Sequence, residues 1–260
     1  MRMIHPAAWG GLLLNGMLAF LLYHALENMD LSLMDAASQQ AWAEFNQFML
    51  ETIRPFHLTL LLAQAAALLL MVLKVPFALF IAFVAASLTI PGSFVYLLGC
   101  LLTHYRIKYA DFHTAPPGYA GARFYFPSFA LRKMRVFTII SSLAFMVLLL
   151  MGDYSVSATF FAVALVGIYC VFRAKANNAL SLHEEYLTLT VGLFTPRLLI
   201  PYNSIRLATL HNYDVIQLDV ETSSGTRTVM WPLQSVEPRE RRQAVEEMGA
   251  ALDAHGVPLQ

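Results

Sequence analysis

The stretch "YLTLTVGLFTPRLLIPYNSIRLATL", Tyr186 to Leu210, alternates apolar with polar residues, turns at Gly192 and Pro196, and alternates again. Period-two alternation punctuated by Gly and Pro marks short strands that bury one face. It stands apart because the chain before it is mostly long apolar runs. The whole sequence is 58% hydrophobic and 13% charged, with 17 basic against 17 acidic side chains. Soluble domains carry about 25% charged residues, so the composition is that of an integral membrane protein. A balanced charge also argues against nucleic acid, whose phosphates require a basic surface.

A membrane helix needs about 20 apolar residues to cross roughly 30 Å of hydrocarbon. Five runs qualify, at about 7–26, 57–73, 75–102, 134–152 and 155–172. The first has no small-residue cleavage signal before His24, which predicts a retained span. The third contains Pro91-Gly92, so it is either one tilted, kinked span or a re-entrant hairpin. The expected fold is an α-helical transmembrane bundle of about five spans over residues 1–175, followed by a small antiparallel β domain with a C-terminal helix over 176–260.

Orientation follows Lys and Arg in the short loops. The loop 103–135 carries Arg106, Lys108, Arg123, Arg132, Lys133 and Arg135, and Arg173 and Lys175 follow the fifth run. Both segments are expected to be cytoplasmic, with Gly152-Asp153-Tyr154 turning outside. Five spans place the N-terminus outside, yet the 27–56 connection would then be inside with five acids and only Arg54. A re-entrant third run moves the N-terminus inside and the acidic connection outside. Within that connection, residues 32–56 read as an amphipathic helix starting near Ser32 to Asp35, with Trp42, Phe45, Met49 and Ile53 on one side, lying on the membrane or on the bundle.

After Lys175 the pattern changes to short strands at Tyr186–Val191, Leu198–Pro201, Ile205–Leu210, Val215–Glu221 and Thr226–Trp231, with turn residues between them at Gly192, Asn203, 212–214 and 223–225. Ile200, Ile205 and Leu207 are expected to face the core and Arg206 the solvent. A closing helix from about Pro238 places Ala244, Val245, Met248, Ala251 and Leu252 on one face, and Gly256 and Pro258 end it.

The "VGLF" turn followed by "LLIPYNSI" resembles bacterial pleckstrin-homology-like domains, in which a Gly-Leu-Phe triplet precedes an Ile-Pro-Tyr/Leu-x-x-Ile motif. In that family the domain commonly follows a two-span hairpin preceded by basic residues, and "LRKMRVF" before the 134–172 hairpin looks similar. The likeness covers about residues 125–255. It implies a bacterial inner-membrane protein with a cytoplasmic C-terminus and says nothing of ligand choice.

Chemistry-bearing residues are sparse. Cys100 and Cys170 lie inside apolar runs, where a thiol behaves as a small hydrophobe. His24, His57 and His104 fall near predicted membrane edges, and neither Asp111-Phe-His113 nor His183-Glu184-Glu185 has zinc spacing. No nucleophile elbow is present, and no ionisable residue lies in mid-span. The deep polar side chains are Asn15 and Gln64, candidates for hydrogen bonds between helices, with Gly11, Gly16 and the Ala63–Ala67 cluster allowing close approach. The loop His113–Phe129 groups Tyr119, Phe124, Tyr125, Phe126 and Phe129 around Arg123 and reads as an aromatic belt at the bilayer surface.

The expectation is a non-enzymatic scaffold, assembly or regulatory subunit with no cofactor, in contact with lipid and docking membrane or cytoplasmic proteins; the alternative is a lipid-handling or transport component. The candidate docking surface is the outer side of the Leu198–Leu210 strands around Arg197, Tyr202 and Arg206. From residue 176 onward six arginines and no lysine face ten acids, a balance that argues for protein rather than an anionic leaflet as the tail's partner.

Overall fold

A computed structural model of the chain describes residues 4–30, 32, 35–89, 93–115, 121–152, 154–176, 178–212 and 214–260. Pro91-Gly92, Tyr119, Asp153, Tyr213 and the Leu33-Met34 pair in the predicted helix start lie outside the described residues. The chain forms two compact units, Met1–His104 and Tyr105–Gln260. Among the described residues, four helical segments are long and apolar enough to cross a membrane: Pro6–Glu27, Ala36–Val72, Leu131–Leu150 and Thr159–Ala176.

The first unit contains α1 (Pro6–Glu27), α2 (Ala36–Phe48), α3 (Arg54–Val72), α4 (Ala78–Ser87) and the start of α5 (Ser93–Lys108). The buried stripe of α1 is Ala8, Gly11, Asn15 and Ala19, and that of α4 is Ala78, Ala82, Ala85 and Ala86. Both recur at helical spacing and are small, so backbones meet closely while Leu13 and Leu62 stay exposed on the outer surface.

Helix directions follow from which residues meet. His5, Ala8, Gly11 and Asn15 of α1 meet Thr103, Gly99, Tyr96 and Ser93 of α5, so the two helices are antiparallel. Asn15 and Tyr23 meet Gln64 and His57 of α3, so α1 and α3 are antiparallel as well. α3 turns back at Lys74, which takes the left-handed φ of 58°, and its Gln64 meets Ala85 and Thr89 at the far end of α4. α4 and α5 therefore run in opposite directions and approach each other at Thr89 and Ser93. Among the described residues, the apolar run 75–102, expected either as one kinked span or as a re-entrant hairpin, forms two helices of ten and sixteen residues.

The amphipathic segment is helical and continuous with the helix that follows it. α2 continues into α3 through a π turn at Met49–Ile53, just before Pro55, whose missing N–H leaves the Glu51 carbonyl without its helical donor. No α2 residue is buried, and Trp42, Phe45 and Phe48 are exposed rather than packed on the bundle. Asn46 donates to the Leu26 carbonyl at 3.2 Å, and Arg54 pairs with Glu27.

The second unit contains the antiparallel hairpin of α6 (Ala130–Leu150) and α7 (Tyr154–Ala176), two sheets and α8 (Arg241–Asp253). β3 (Leu180–Leu182), β4 (Tyr186–Leu189) and β5 (Leu198–Pro201) are joined by β1 (His113–Thr114) and β2 (Phe124–Phe126) in the order β1-β5-β4-β3-β2. β6 (Ile205–His211), β7 (Val215–Thr222) and β8 (Gly225–Pro232) form the second sheet in sequence order. All these strand pairs are antiparallel.

The loop expected to be a membrane-surface belt thus supplies two strands, and Phe126 is buried in the core with Leu180, Leu187, Ile200 and Trp231. The sheet draws on residues from both sides of the hairpin. A bulge between Ile205 and Leu207 leaves Arg206 unpaired in the ladder and shifts the alternation, so Ala208 is fully buried while Leu207 is only half-buried. α8 buries Ala244, Met248 and Leu252 against the same core, as its periodicity predicts.

Candidate functional site

Five residues of the first unit form one buried polar node. The Asn15 Nδ2 donates to Gln64 Oε1 at 3.0 Å and, at a longer 3.4 Å, to Ser93 Oγ. The Gln64 Nε2 donates to Thr89 Oγ1 at 2.5 Å, and the Tyr96 hydroxyl donates to the Gln64 backbone carbonyl at 2.6 Å. Thr89 Oγ1 and Ser93 Oγ lie 2.7 Å apart, and the Ser93 hydroxyl also reaches the Thr89 carbonyl at 2.7 Å. All five side chains are buried, and Asn15 Oδ1 has no hydrogen-bond partner among the described residues.

The location of the node has a physical reason. Where a helix stops inside a packed bundle, its last carbonyls and first amides need partners, because water does not reach them. Gln64 and Asn15 project from intact helices at the height where α4 ends and α5 begins. Every node group is neutral and none titrates near pH 7. It can hold chain ends and receive a hydrogen bond at Asn15 Oδ1. Sequence reading singled out Asn15 and Gln64. It missed Thr89, Ser93 and Tyr96, for which the only signal was three hydroxyls flanking Pro91-Gly92 inside an apolar run.

The helices around the node touch backbone to backbone. A Cβ on Gly99 would lie 2.0 Å from the Ala8 nitrogen, and one on Gly11 would lie 2.2 Å from the Tyr96 nitrogen. Thr103 Oγ1 extends the contact by accepting from the His5 amide at 2.9 Å.

In the second unit the candidate docking residues do not share a surface. Arg197 is buried, donating to Thr188 Oγ1 at 2.7 and 3.0 Å and to Ser181 Oγ at 3.0 Å, and burial lowers its pKa. Tyr202 is buried under His255, ring centroids 4.2 Å apart, and burial pushes its hydroxyl up to about 12. Only Arg206 faces solvent, paired with Glu221 at 2.7 Å. The reason is the short helical turn at Tyr202–Ser204, which rolls Tyr202 inward between β5 and β6.

The Gly-Leu-Phe-Thr turn has a different partner. The Arg173 guanidinium, in the last turn of α7, donates to the carbonyls of Leu193 at 3.0 Å, Phe194 at 3.4 Å and Thr195 at 3.0 Å. Thr195 Oγ1 closes the turn by donating to the Gly192 carbonyl at 2.7 Å. At the opposite end of β4, Gly121, Arg123, His183, Glu184, Glu185 and Tyr186 line an open polar cleft of about 410 Å³. Burial lowers the His183 pKa, and its ring stacks on Tyr186 with centroids 4.3 Å apart. Among the described residues no three His, Cys, Asp or Glu side chains gather as a metal site.

Comparison with known proteins adds no relative: no family model, no curated protein and no solved structure matches this chain.

Proposed function

We propose that this chain is a non-enzymatic multi-pass protein of the bacterial inner membrane, a scaffold, assembly or regulatory subunit, whose tail is a pleckstrin-homology-like domain held in the cytoplasm and docking protein partners. Two antiparallel sheets closed by a C-terminal helix support the domain assignment, together with the "VGLF" and "LLIPYNSI" stretches. The observation that carries the scaffold reading is the attachment of the β domain to its hairpin. β2 leads into α6, α7 leads into β3, and the two strands pair directly, Phe126 opposite Leu180. Arg173 then fastens the 192–195 turn to the end of α7. Two chain crossings and a charge-assisted clamp fix the domain where the hairpin leaves the membrane, which suits a platform better than a mobile module.

The docking surface under this reading shrinks to the outer face of β6 and β7 around Arg206 and Glu221. Full-length protein purified from native membranes in mild detergent tests it. Arg206→Glu should release a co-purifying partner while the protein stays folded, its melting temperature lowered by no more than a few degrees through loss of the exposed pair with Glu221. Tight, salt-sensitive binding of the purified protein to anionic vesicles, lost in Arg206→Glu, would contradict it.

The second reading, a lipid-handling or transport component, is favoured by one observation, the polar node between two half-length helices in the first unit. Discontinuous helices meeting at mid-membrane are the places where transporters build solute sites.

A further inference from the structure

We propose that α4 and α5 form a re-entrant helix pair, which enters the membrane from the face that carries the basic 103–135 loop, turns at the Asn15–Gln64 node near mid-depth, and leaves by the same face. The inference rests on the membrane reading above.

Length is the first argument. Ten residues of α4 make about 15 Å and sixteen of α5 about 24 Å, both short of the roughly 30 Å hydrocarbon core. Direction is the second. α1 and α3 are each long enough to cross, and both place their node residue near the middle: Asn15 within Pro6–Glu27 and Gln64 within Arg54–Val72. α4 starts at the end of the bundle where α3 finishes and reaches the node at Thr89. α5 starts at the node with Ser93 and returns to the level of His5 at Thr103. The pair goes in and comes out at one end. The polar node is what such a turn requires, since backbone interrupted inside hydrocarbon is tolerated only beside polar partners.

Charge is the third argument, independent of the contacts. With the pair re-entrant, Lys74, Arg106 and Lys108 fall on one face, and Glu27, Asp30, Asp35, Glu44 and Glu51 with Arg54 on the other. Arg54 is itself paired with Glu27. This is the asymmetry that the positive-inside rule demands, and a single crossing by 75–102 would break it. The number of crossings becomes four, and both half-helices present their inner ends to one buried site. That geometry strengthens the transport reading of the first unit.

The four lysines of the chain, Lys74, Lys108, Lys133 and Lys175, report the arrangement in the natural sequence. A membrane-impermeant amine reagent is applied to intact spheroplasts and to inverted vesicles, and each lysine is read by peptide mass spectrometry. The expected result is no labelling of any lysine in spheroplasts and labelling of Lys74 together with Lys108 in inverted vesicles. Labelling of all four from outside would retain the re-entrant pair and overturn the cytoplasmic tail instead. Lys74 on the opposite face from Lys108 would overturn the pair. A Pro76→Lys variant adds a second amine to the same turn, so silence of both amines in both preparations would also overturn it.

Discussion

Gly99 of α5 lies so close to Ala8 of α1 that a Cβ added to it would stand 2.0 Å from the Ala8 nitrogen and 2.3 Å from its Cα. Nothing flexible lines that contact, so a methyl group there must push two helices apart. Gly99→Ala should cost about 1–3 kcal/mol, as expected for overpacking. Gly10, on the exposed face of α1 with no atom within 4 Å of its would-be Cβ, is the control. Thermal unfolding of the detergent-solubilised protein should show a lower midpoint for Gly99→Ala and no loss for Gly10→Ala; equal midpoints would refute the contact.

The Asn15–Gln64 bond should be measurable as a coupling. Interhelical hydrogen bonds inside membranes are worth about 0.6 kcal/mol on average, and up to about 1.7, in double-mutant cycles. Asn15→Ala and Gln64→Ala should each destabilise the first unit, and the double variant should lose about 0.6–1.7 kcal/mol less than their sum. Strict additivity would mean that the two side chains do not meet.

In the β domain, burial reverses the roles that the sequence suggests for its arginines. Arg197→Leu removes charged hydrogen bonds to Thr188 and Ser181 and should cost about 2–3 kcal/mol. Arg206→Gln removes only an exposed ion pair and should cost about 1 kcal/mol or less. Fluorescence of the fully buried Trp231, with Trp9 and Trp42 replaced by Phe, follows this domain during denaturation. The reverse order of the two effects would contradict the placement of Arg197 in the sheet.

His183 sets a pH dependence. Its folded pKa is depressed by burial, so the folded domain resists protonation while the unfolded chain takes a proton near pH 6.5. The contribution of His183 is therefore complete above about pH 6.5 and declines as pH falls toward its lower folded value. His183→Phe should flatten the stability profile in that window, keeping the stacking on Tyr186. A wild-type domain that gained stability on acidification through pH 6 would have the opposite sign.

Much of the tail was legible because its physics is local. Alternation, Gly192, the 223–225 turn and the α8 periodicity each act within a few residues, and all five predicted strands appear within two residues of their expected ends. What escaped depends on contacts distant in sequence. β1 and β2 are two and three residues long and exist because β5 and β3 pair with them across 80 and 50 residues or more of chain. Their aromatic composition, taken alone, matches a bilayer belt equally well. The burial of Arg197 and Tyr202 likewise follows from the sheet and the 202–204 turn rather than from any periodicity. In the first unit, a run of apolar residues has the same hydropathy whether it crosses or turns back; the direction of α5 shows in the order in which Ser93, Tyr96, Gly99 and Thr103 meet Asn15, Gly11, Ala8 and His5. A fragment of residues 178–260 lacks β1 and β2, so it should be markedly less stable than the same sheet in the full chain.

The distance between spin labels at Phe77 and His104 tests the arrangement of α4 and α5 most directly. Both sites lie in the first unit, one at the start of α4 and one where α5 returns, and the labels are introduced with Cys100 and Cys170 replaced by Ala. A re-entrant pair brings the labels to the same end of the bundle, within about two helix diameters or roughly 20 Å. A single continuous span over the same residues would separate them by about 40 Å at 1.5 Å per residue. A short, narrow distance distribution in reconstituted membranes is the predicted result, and a distribution centred near 40 Å would contradict the account.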